Sequence, residues 1–160
     1  MVARLPAYAL LAGLAIALLA AAFTDIRRRR IDNRLTAAVA VAAPLFWWAT
    51  GVALWPGAAF RFGFALTMLM LLAALFAIRA MGGGDVKLLT GLALWLPWQP
   101  FLQLVVLMSL FGGVLTLVFA AAWRLRGRPG ALEIPYGVAI AAAGLWVVGT
   151  GVRSPHGLLG

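Results

Sequence analysis

Only four side chains among 160 residues carry a carboxylate, Asp25, Asp32, Asp85 and Glu133, against thirteen Lys and Arg. Two of the acids border strongly apolar stretches, Asp25 in "FTDIRRRR" and Asp85 in "RAMGGGDVKLL". A pair of aspartates brought close together can activate water. Neighbouring carboxylates do not both ionise cheaply, so one keeps a proton and serves as acid while the other, ionised, draws a proton from water. That is the chemistry of an aspartic protease dyad, and such a pair titrates as a unit. Asp25 and Asp85 are 60 residues apart, so helix packing has to unite them. Water activation of this kind needs no metal or organic cofactor, and none is expected. The chain has no cysteine and a single histidine, His156, which excludes disulfides, thiolate nucleophiles and Cys or His-cluster metal sites.

Each aspartate also has a purely structural reading. Asp85 suits a helix N-cap, where a carboxylate accepts backbone N–H bonds and complements the dipole. Asp25 falls on the C-terminal side of an apolar helix, where a negative charge opposes the dipole; Arg27 to Arg30 can neutralise it as a solvated flank.

The elements that must position these acids are membrane helices. At 65% hydrophobic residues and a mean hydropathy of +1.04, the chain has more apolar surface than a soluble domain of this length can hide. Apolar runs of about 20 residues recur between short polar breaks. We expect an all-α, polytopic bundle of six spans forming one domain over residues 1–160, with spans near 5–23, 35–54, 62–78, 86–98, 102–123 and 134–152. The first run, with Arg4 before it and "LLAAA" near its end, has the look of a signal peptide, but five further spans follow. Loops after the odd-numbered spans hold Arg27 to Arg30, Arg34, Arg79, Lys87, Arg124, Arg126 and Arg128, whereas the opposite side holds Arg4, Arg61 and Arg153. The positive-inside rule puts the odd loops in the cytoplasm and both termini outside. Trp55, Trp95 and Trp98 are expected as outer interface anchors and Trp123 as an inner one. All four carboxylates then lie at the cytoplasmic face.

"GGGD" precedes a fourth span of only about 13 residues, closed by "LPWQP". A helix of that length covers roughly 20 Å, short of the hydrocarbon thickness. Either the bilayer thins or the glycine segment dips inward against protein or a wet cavity. Three glycines suit such a segment by permitting positive φ and close backbone approach.

"TDIRRRRIDN", "GGGDVKLL" and "IPYGVAIAAAG" resemble, in order and spacing, three signature regions of the type IV prepilin peptidases, bacterial membrane members of the GxGD aspartyl proteases. The resemblance runs from Asp25 to Gly144. It implies that Asp25 and Asp85 are the catalytic pair, with Gly82, Gly83 and Gly84 shaping the loop beside Asp85 and Gly82 and Gly84 filling the motif's G positions. The implied reaction is removal of a short basic leader from a prepilin at the cytoplasmic face of the inner membrane, with water as nucleophile. The sequence departs from the family at Ile31-Asp32-Asn33, where Ile-Pro-Asn is common. It also has no cysteine tetrad of the kind associated with N-methylation, so it is similar to the short form serving Flp-type (tight-adherence) pili. Partners implied are the prepilin, the bilayer with its anionic lipids, and pilus assembly proteins.

Accessory residues are read as follows. Asp32 is structural or electrostatic, paired with Arg28 or Arg29. Glu133 pairs with Arg126 or Arg128, or reads the substrate's N-terminus. Pro135 and Tyr136 set the entry of span six, and Tyr136 can hydrogen-bond near the dyad. Lys87 marks the interface, or lowers a carboxylate pKa by its charge. Gly112 and Gly113 provide close helix packing. The arginine runs serve topology and anionic lipid binding, and the basic loop "RLRGRPG" lacks the aromatic interleaving of a nucleic-acid surface. Two other functions fit the composition: a small ion- or proton-coupled transporter with acids along a polar path, and a noncatalytic assembly protein on the same fold.

Overall fold

In the computed structural model, which describes residues 5–126 and 134–153, the first helix places its buried residues with a regular spacing. Along α1 (Leu5–Arg28) the buried positions are Ala7, Leu11, Leu14, Leu18, Ala21 and Asp25, separated alternately by four and three residues. That spacing keeps one stripe facing a neighbour. Asp25 therefore occupies the next core position of an apolar stripe. Ile16, Leu19, Phe23 and Ile26 point outward and are exposed.

Five further helices follow: α2 (Asn33–Ala49), α3 (Ala59–Ala77), α4 (Gly83–Trp95), α5 (Trp98–Arg126) and α6 (Tyr136–Arg153). A short π-type turn, Leu54–Ala58, leads into α3. Among the described residues there is no strand. The six expected spans correspond one to one with these helices, with edges moved by up to five residues. α1, Leu54–Ala77 and Trp98–Leu125 are each long and apolar enough to cross a membrane. α3 buries little beyond Ala65 and Leu72, and leaves Phe62, Leu66, Met70, Leu71 and Phe76 exposed. Apolar surface of that extent is stable only against an apolar solvent, so the chain is a multi-pass membrane protein.

The bundle is arranged around α4, which packs on α2 and α3 and reaches α5 and α6, while α1 packs on α6 and α2 and α5 on α6. α4 is buried almost all round, through Val86, Leu88, Leu89, Gly91, Leu92, Ala93 and Trp95. This resolves the shortness of the fourth span. A helix of roughly 20 Å need not match the bilayer when its neighbours, rather than lipid, surround it. Along α6 small side chains are buried, at Ala139, Ala141 and Ala143, and where the helix meets α1 a Cβ on Gly144 would come within 2.9 Å of Leu18 Cδ1. Small residues let backbones approach and gain dispersion energy, which replaces the weak hydrophobic drive between helices in lipid.

One aromatic expectation is corrected. Trp95 is 2% exposed; its ring stacks on Phe46 with centroids 5.0 Å apart, and its indole Nε1 donates to the Val39 carbonyl at 2.8 Å. It is a core residue linking α4 to α2, not an interface anchor. Trp47 repeats the device, donating to the Leu94 carbonyl at 2.8 Å. Trp55 and Trp98 are exposed at that end, as anchors should be. Thermal unfolding in detergent should show Trp95→Ala costing about 3–5 kcal/mol, with Trp55→Ala costing under about 1 kcal/mol. Equal small losses would return Trp95 to the interface.

Candidate active site

The C-terminal end of α1 and the N-terminal starts of α4 and α6 meet at one end of the bundle. α1 stops at Arg28, and Arg29 follows in the left-handed region (φ 53°), its N–H bonded to the Asp25 carbonyl at 2.9 Å. That geometry turns the chain sharply after Asp25 and sends residues 29–32 back over the end of the bundle. α3 ends in the same manner: Arg79 has φ 60°, and Ala80 N–H bonds the Leu75 carbonyl at 2.9 Å. Non-glycine residues seldom adopt this conformation. Both lie beside the acids.

Asp25 is 7% exposed, and its Oδ2 accepts the Gly137 N–H at 2.8 Å. Gly137 is the second residue of α6, so a helix-start amide with no intrahelical partner of its own is satisfied by a carboxylate. The position tolerates no side chain, because a Cβ there would stand 2.8 Å from Asp25 Oδ2 and 3.0 Å from Ile31 Cδ1. The sequence reading missed this residue. It assigned roles to Pro135 and Tyr136 in "IPYG" and none to the glycine after them, whose function is legible only once α6 is seen to start against α1.

Asp85 is not the N-cap of α4. Gly82 is, with extended backbone (φ −73°, ψ 143°), and Asp85 lies three residues later, in the first turn. From there its carboxylate folds back toward Gly82, where a Cβ would meet Asp85 Oδ2 at 3.0 Å. The glycine run works by close approach and not by positive φ, which among the described glycines belongs to Gly51 alone. A Cβ on Gly83 would meet Phe76 at 3.2 Å, and one on Gly84 would meet Ile31 at 3.2 Å. Gly83 and Gly84 thus seat α4 against two different neighbours, while Gly82 makes room for the Asp85 carboxylate.

Two cavities meet at the acids. One, of about 610 Å³, is lined by Thr24, Arg28 to Arg30, Ile31 to Asn33 and the glycine run; the other, of about 850 Å³, by Phe76, Met81, Met108, Ile134, Tyr136 and Ile140 with Arg29 and Arg79. Asp25 and Asp85 line both. The fold therefore brings together the two aspartates that the sequence reading paired. Burial, followed by the charge of Asp25, pushes the Asp85 carboxyl up to about 6, against a weaker opposing pull from the Gly82 N–H. A carboxyl that keeps its proton to a higher pH than usual, beside one that accepts a backbone amide, makes a pair able to give and take protons on a water between them.

The remaining candidates divide. Asp32 is the N-cap of α2, and its Oδ1 accepts the Arg34 N–H at 2.8 Å, so it is a structural residue whose bond is to backbone and not to Arg28 or Arg29. Lys87 is exposed and its Nζ donates to Asn33 Oδ1 at 2.8 Å; it lines neither cavity. Tyr136 lies in the wall of the larger cavity, its ring against α5 where a Cβ on Gly112 would stand 2.7 Å from Cε1. Gly112 accordingly permits a close contact, whereas a Cβ on Gly113 would meet nothing within 4 Å. Glu133, Arg128, His156 and the Arg126 side chain lie outside the described residues. No group of three or more His, Cys, Asp or Glu that could hold a metal ion occurs among the described residues.

Comparison with known proteins identifies the family. Residues 12–117, which include both aspartates, match the type IV leader peptidase family, and the chain belongs to that family. A prepilin leader peptidase/N-methyltransferase of Burkholderia pseudomallei (strain 1026b) is 34% identical over 144 residues, covering 82% of this chain and 43% of that protein. A protein of the same name from Xanthomonas campestris pv. campestris is 37% identical over 92 residues, covering 58% of this chain and 31% of the relative. The chain thus spans less than half the length of these curated relatives. No solved structure matches it.

The raised Asp85 carboxyl has a sign that can be checked. Between about pH 4 and pH 6 the folded chain holds a proton that the unfolded chain has released, so stability from this group falls as pH rises through that window. Thermal unfolding in detergent at pH 4 and pH 8 should show Asp85→Asn gaining up to about 3 kcal/mol over wild type at pH 8 and little at pH 4. A gain that does not depend on pH would mean that Asp85 is not the group responsible.

Proposed function

We propose that this chain is an aspartic endopeptidase that removes the leader from a type IV, Flp-type prepilin, with Asp25 and Asp85 as its catalytic pair. The observation that carries the reading is the convergence of these two carboxylates, 60 residues apart, at the junction of two cavities at a polar end of the bundle. The names of the relatives point the substrate class the same way.

In the proposed reaction the scissile carbonyl lies between the carboxylates. Ionised Asp25, held by the Gly137 N–H, takes a proton from water as the water oxygen bonds to the carbonyl carbon. Protonated Asp85 donates its proton to the carbonyl oxygen, giving a neutral gem-diol. Collapse of the gem-diol breaks the C–N bond. One hydroxyl proton returns to Asp85, the proton held by Asp25 goes to the leaving nitrogen, and the pair regains its starting state. No cofactor enters any step. Burial supports the chemistry by extending upward the pH range in which Asp85 is protonated and by strengthening interactions with the developing charge.

The same end of the bundle holds Arg27 to Arg30, Arg34, Arg79 and Arg124, which supports placing the site at the cytoplasmic face of the bacterial inner membrane by the positive-inside rule. An apolar pilin segment would lie along the exposed apolar faces while its leader reached the cavities. The arginines are read as topology signals and contacts to anionic lipid, since they would repel a basic leader.

Cleavage of a Flp-type prepilin in detergent micelles, with the new N-terminus identified by mass spectrometry, tests this directly. Asp25→Asn and Asp85→Asn should each lower the rate by at least about 10³-fold while inserting normally. Retained cleavage in either variant would remove that residue from the pair. Gly137→Ala should fall by about 10²-fold, because its Cβ displaces the Asp25 carboxylate, while Gly113→Ala, facing open space, should stay within about twofold of wild type.

A further inference from the structure

Helix α4 starts in an unusual way for a helix that has to hold a reactive carboxylate in place. Its N-cap and first two residues are Gly82, Gly83 and Gly84, and Gly82 supplies no side-chain cap. Glycine has the largest backbone entropy to lose on ordering, and the first N–H groups of a helix have no intrahelical partners. The turn that carries Asp85 is therefore the part of α4 least able to order itself. Beyond the Asp85 carboxylate folded back on Gly82, contacts from outside have to hold it.

Two of those contacts are apolar, Phe76 against Gly83 and Ile31 against Gly84. The third is polar. Lys87 Nζ donates to Asn33 Oδ1 at 2.8 Å, a bond between side chains that joins α4 to the start of α2. Asn33 is the first residue of α2, and that helix start is itself fixed by the Asp32 cap on Arg34 N–H. The acceptor is thus presented from a rigid position. Lys87 follows Asp85 by two residues, which is about 200° around a helix of 3.6 residues per turn. A pull on Lys87 toward α2 therefore bears on the face of α4 opposite Asp85. Lys87 is exposed and lines neither cavity, whereas Asn33 lines the smaller one.

We propose that Asn33 and Lys87 form a clasp that orders the glycine turn of α4 and fixes the distance between the two aspartates, which makes Lys87 a positioning residue acting through α4. The inference rests on the peptidase reading for its kinetic consequences, but not for its structural one. It differs from a purely electrostatic role for Lys87, because it requires the acceptor as much as the cation. Asn33→Ala leaves the lysine charge in place and removes the bond; because Asn33 also lines the smaller cavity, Lys87→Met, which leaves that wall intact, is its control.

Two measurements test the clasp. Hydrogen exchange by mass spectrometry on the full chain in detergent needs no activity. Asn33→Ala and Lys87→Met should each speed exchange over residues 83–87 by about tenfold or more, with α5 unchanged. Unchanged protection in both variants would overturn the proposal even if the chain cleaved nothing. In the cleavage assay each variant should lower kcat by about tenfold, with KM within about twofold, and the double variant should be no worse than either single one. Lys87→Arg, which keeps a donor, and Asn33→Asp, which keeps an acceptor, should recover most of the rate. Wild-type kcat in Asn33→Ala, or additive losses in the double variant, would leave Lys87 acting by charge and the clasp refuted. Failure of wild type to cleave would count against the peptidase reading, while the exchange result still decides the clasp.

Discussion

A buried carboxylate on the core face of α1 is the constraint around which the rest of this end of the bundle is organised. Asp25 takes the position that the alternating four- and three-residue stripe would give to another Leu or Ala. An acid there loses the hydration it would have at the surface, and that loss has to be offset by donors within the protein. Gly137 N–H is the donor at hand, 2.8 Å away. To deliver it, α6 must start directly against the end of α1, without a Cβ, while the chain after Asp25 turns through a left-handed Arg29 to clear the space. The acid thus fixes where one helix ends and another begins.

The packing that makes this possible is of a kind suited to lipid. Lipid offers little hydrophobic drive for helices to associate, so contact area and hydrogen bonds have to supply it. Glycines and alanines do so here at several seams: Gly144 against Leu18, Gly91 against Val39, Gly84 against Ile31 and Gly112 against Tyr136. Two indole N–H groups, from Trp47 and Trp95, tie α2 and α4 together across their buried faces. The Gly91 and Gly84 seams and both indole bonds lie on α4, the helix whose first turn carries Asp85. The precision of the site therefore comes from a helix enclosed on nearly all sides, and its shortness relative to the bilayer is a consequence of that enclosure.

The electrostatic setting is asymmetric. Burial strips hydration from both carboxylates; Asp25 has the Gly137 amide and the Arg29 guanidinium to offset that loss, whereas Asp85 has the neighbouring carboxylate working further against its charge. Two chemically identical side chains are thereby given different environments, which is the general means by which one carboxyl becomes the acid and its neighbour the base. The cavities differ too, one rimmed by arginines and polar loop residues and the other walled largely by Phe, Met and Ile. A polypeptide crossing the pair from a polar stretch to an apolar one would meet matching surroundings on each side.

Much of this was legible in the residues. Hydropathy determined six helices and a membrane setting, because spanning helices leave a long, uniform apolar signal. The spacing of Asp25, "GGGD" and "IPYG" pointed to the pair and to the family. Other features were hidden because they depend on which faces meet. Trp95 has the sequence context of an interface anchor, and only the approach of α2 makes it core. Asp85 looks like an N-cap until the start of α4 is seen to lie at Gly82. Gly137 carries no local signal, since its value lies in an amide aimed at a carboxylate 112 residues earlier. The sequence by itself determined the number of helices, their apolar character and the scarcity of acids, all properties of local composition and period. Tertiary structure alone decided which glycines admit which neighbours and which amide meets Asp25, because close contacts between distant segments are set by packing and not by any pattern along the chain.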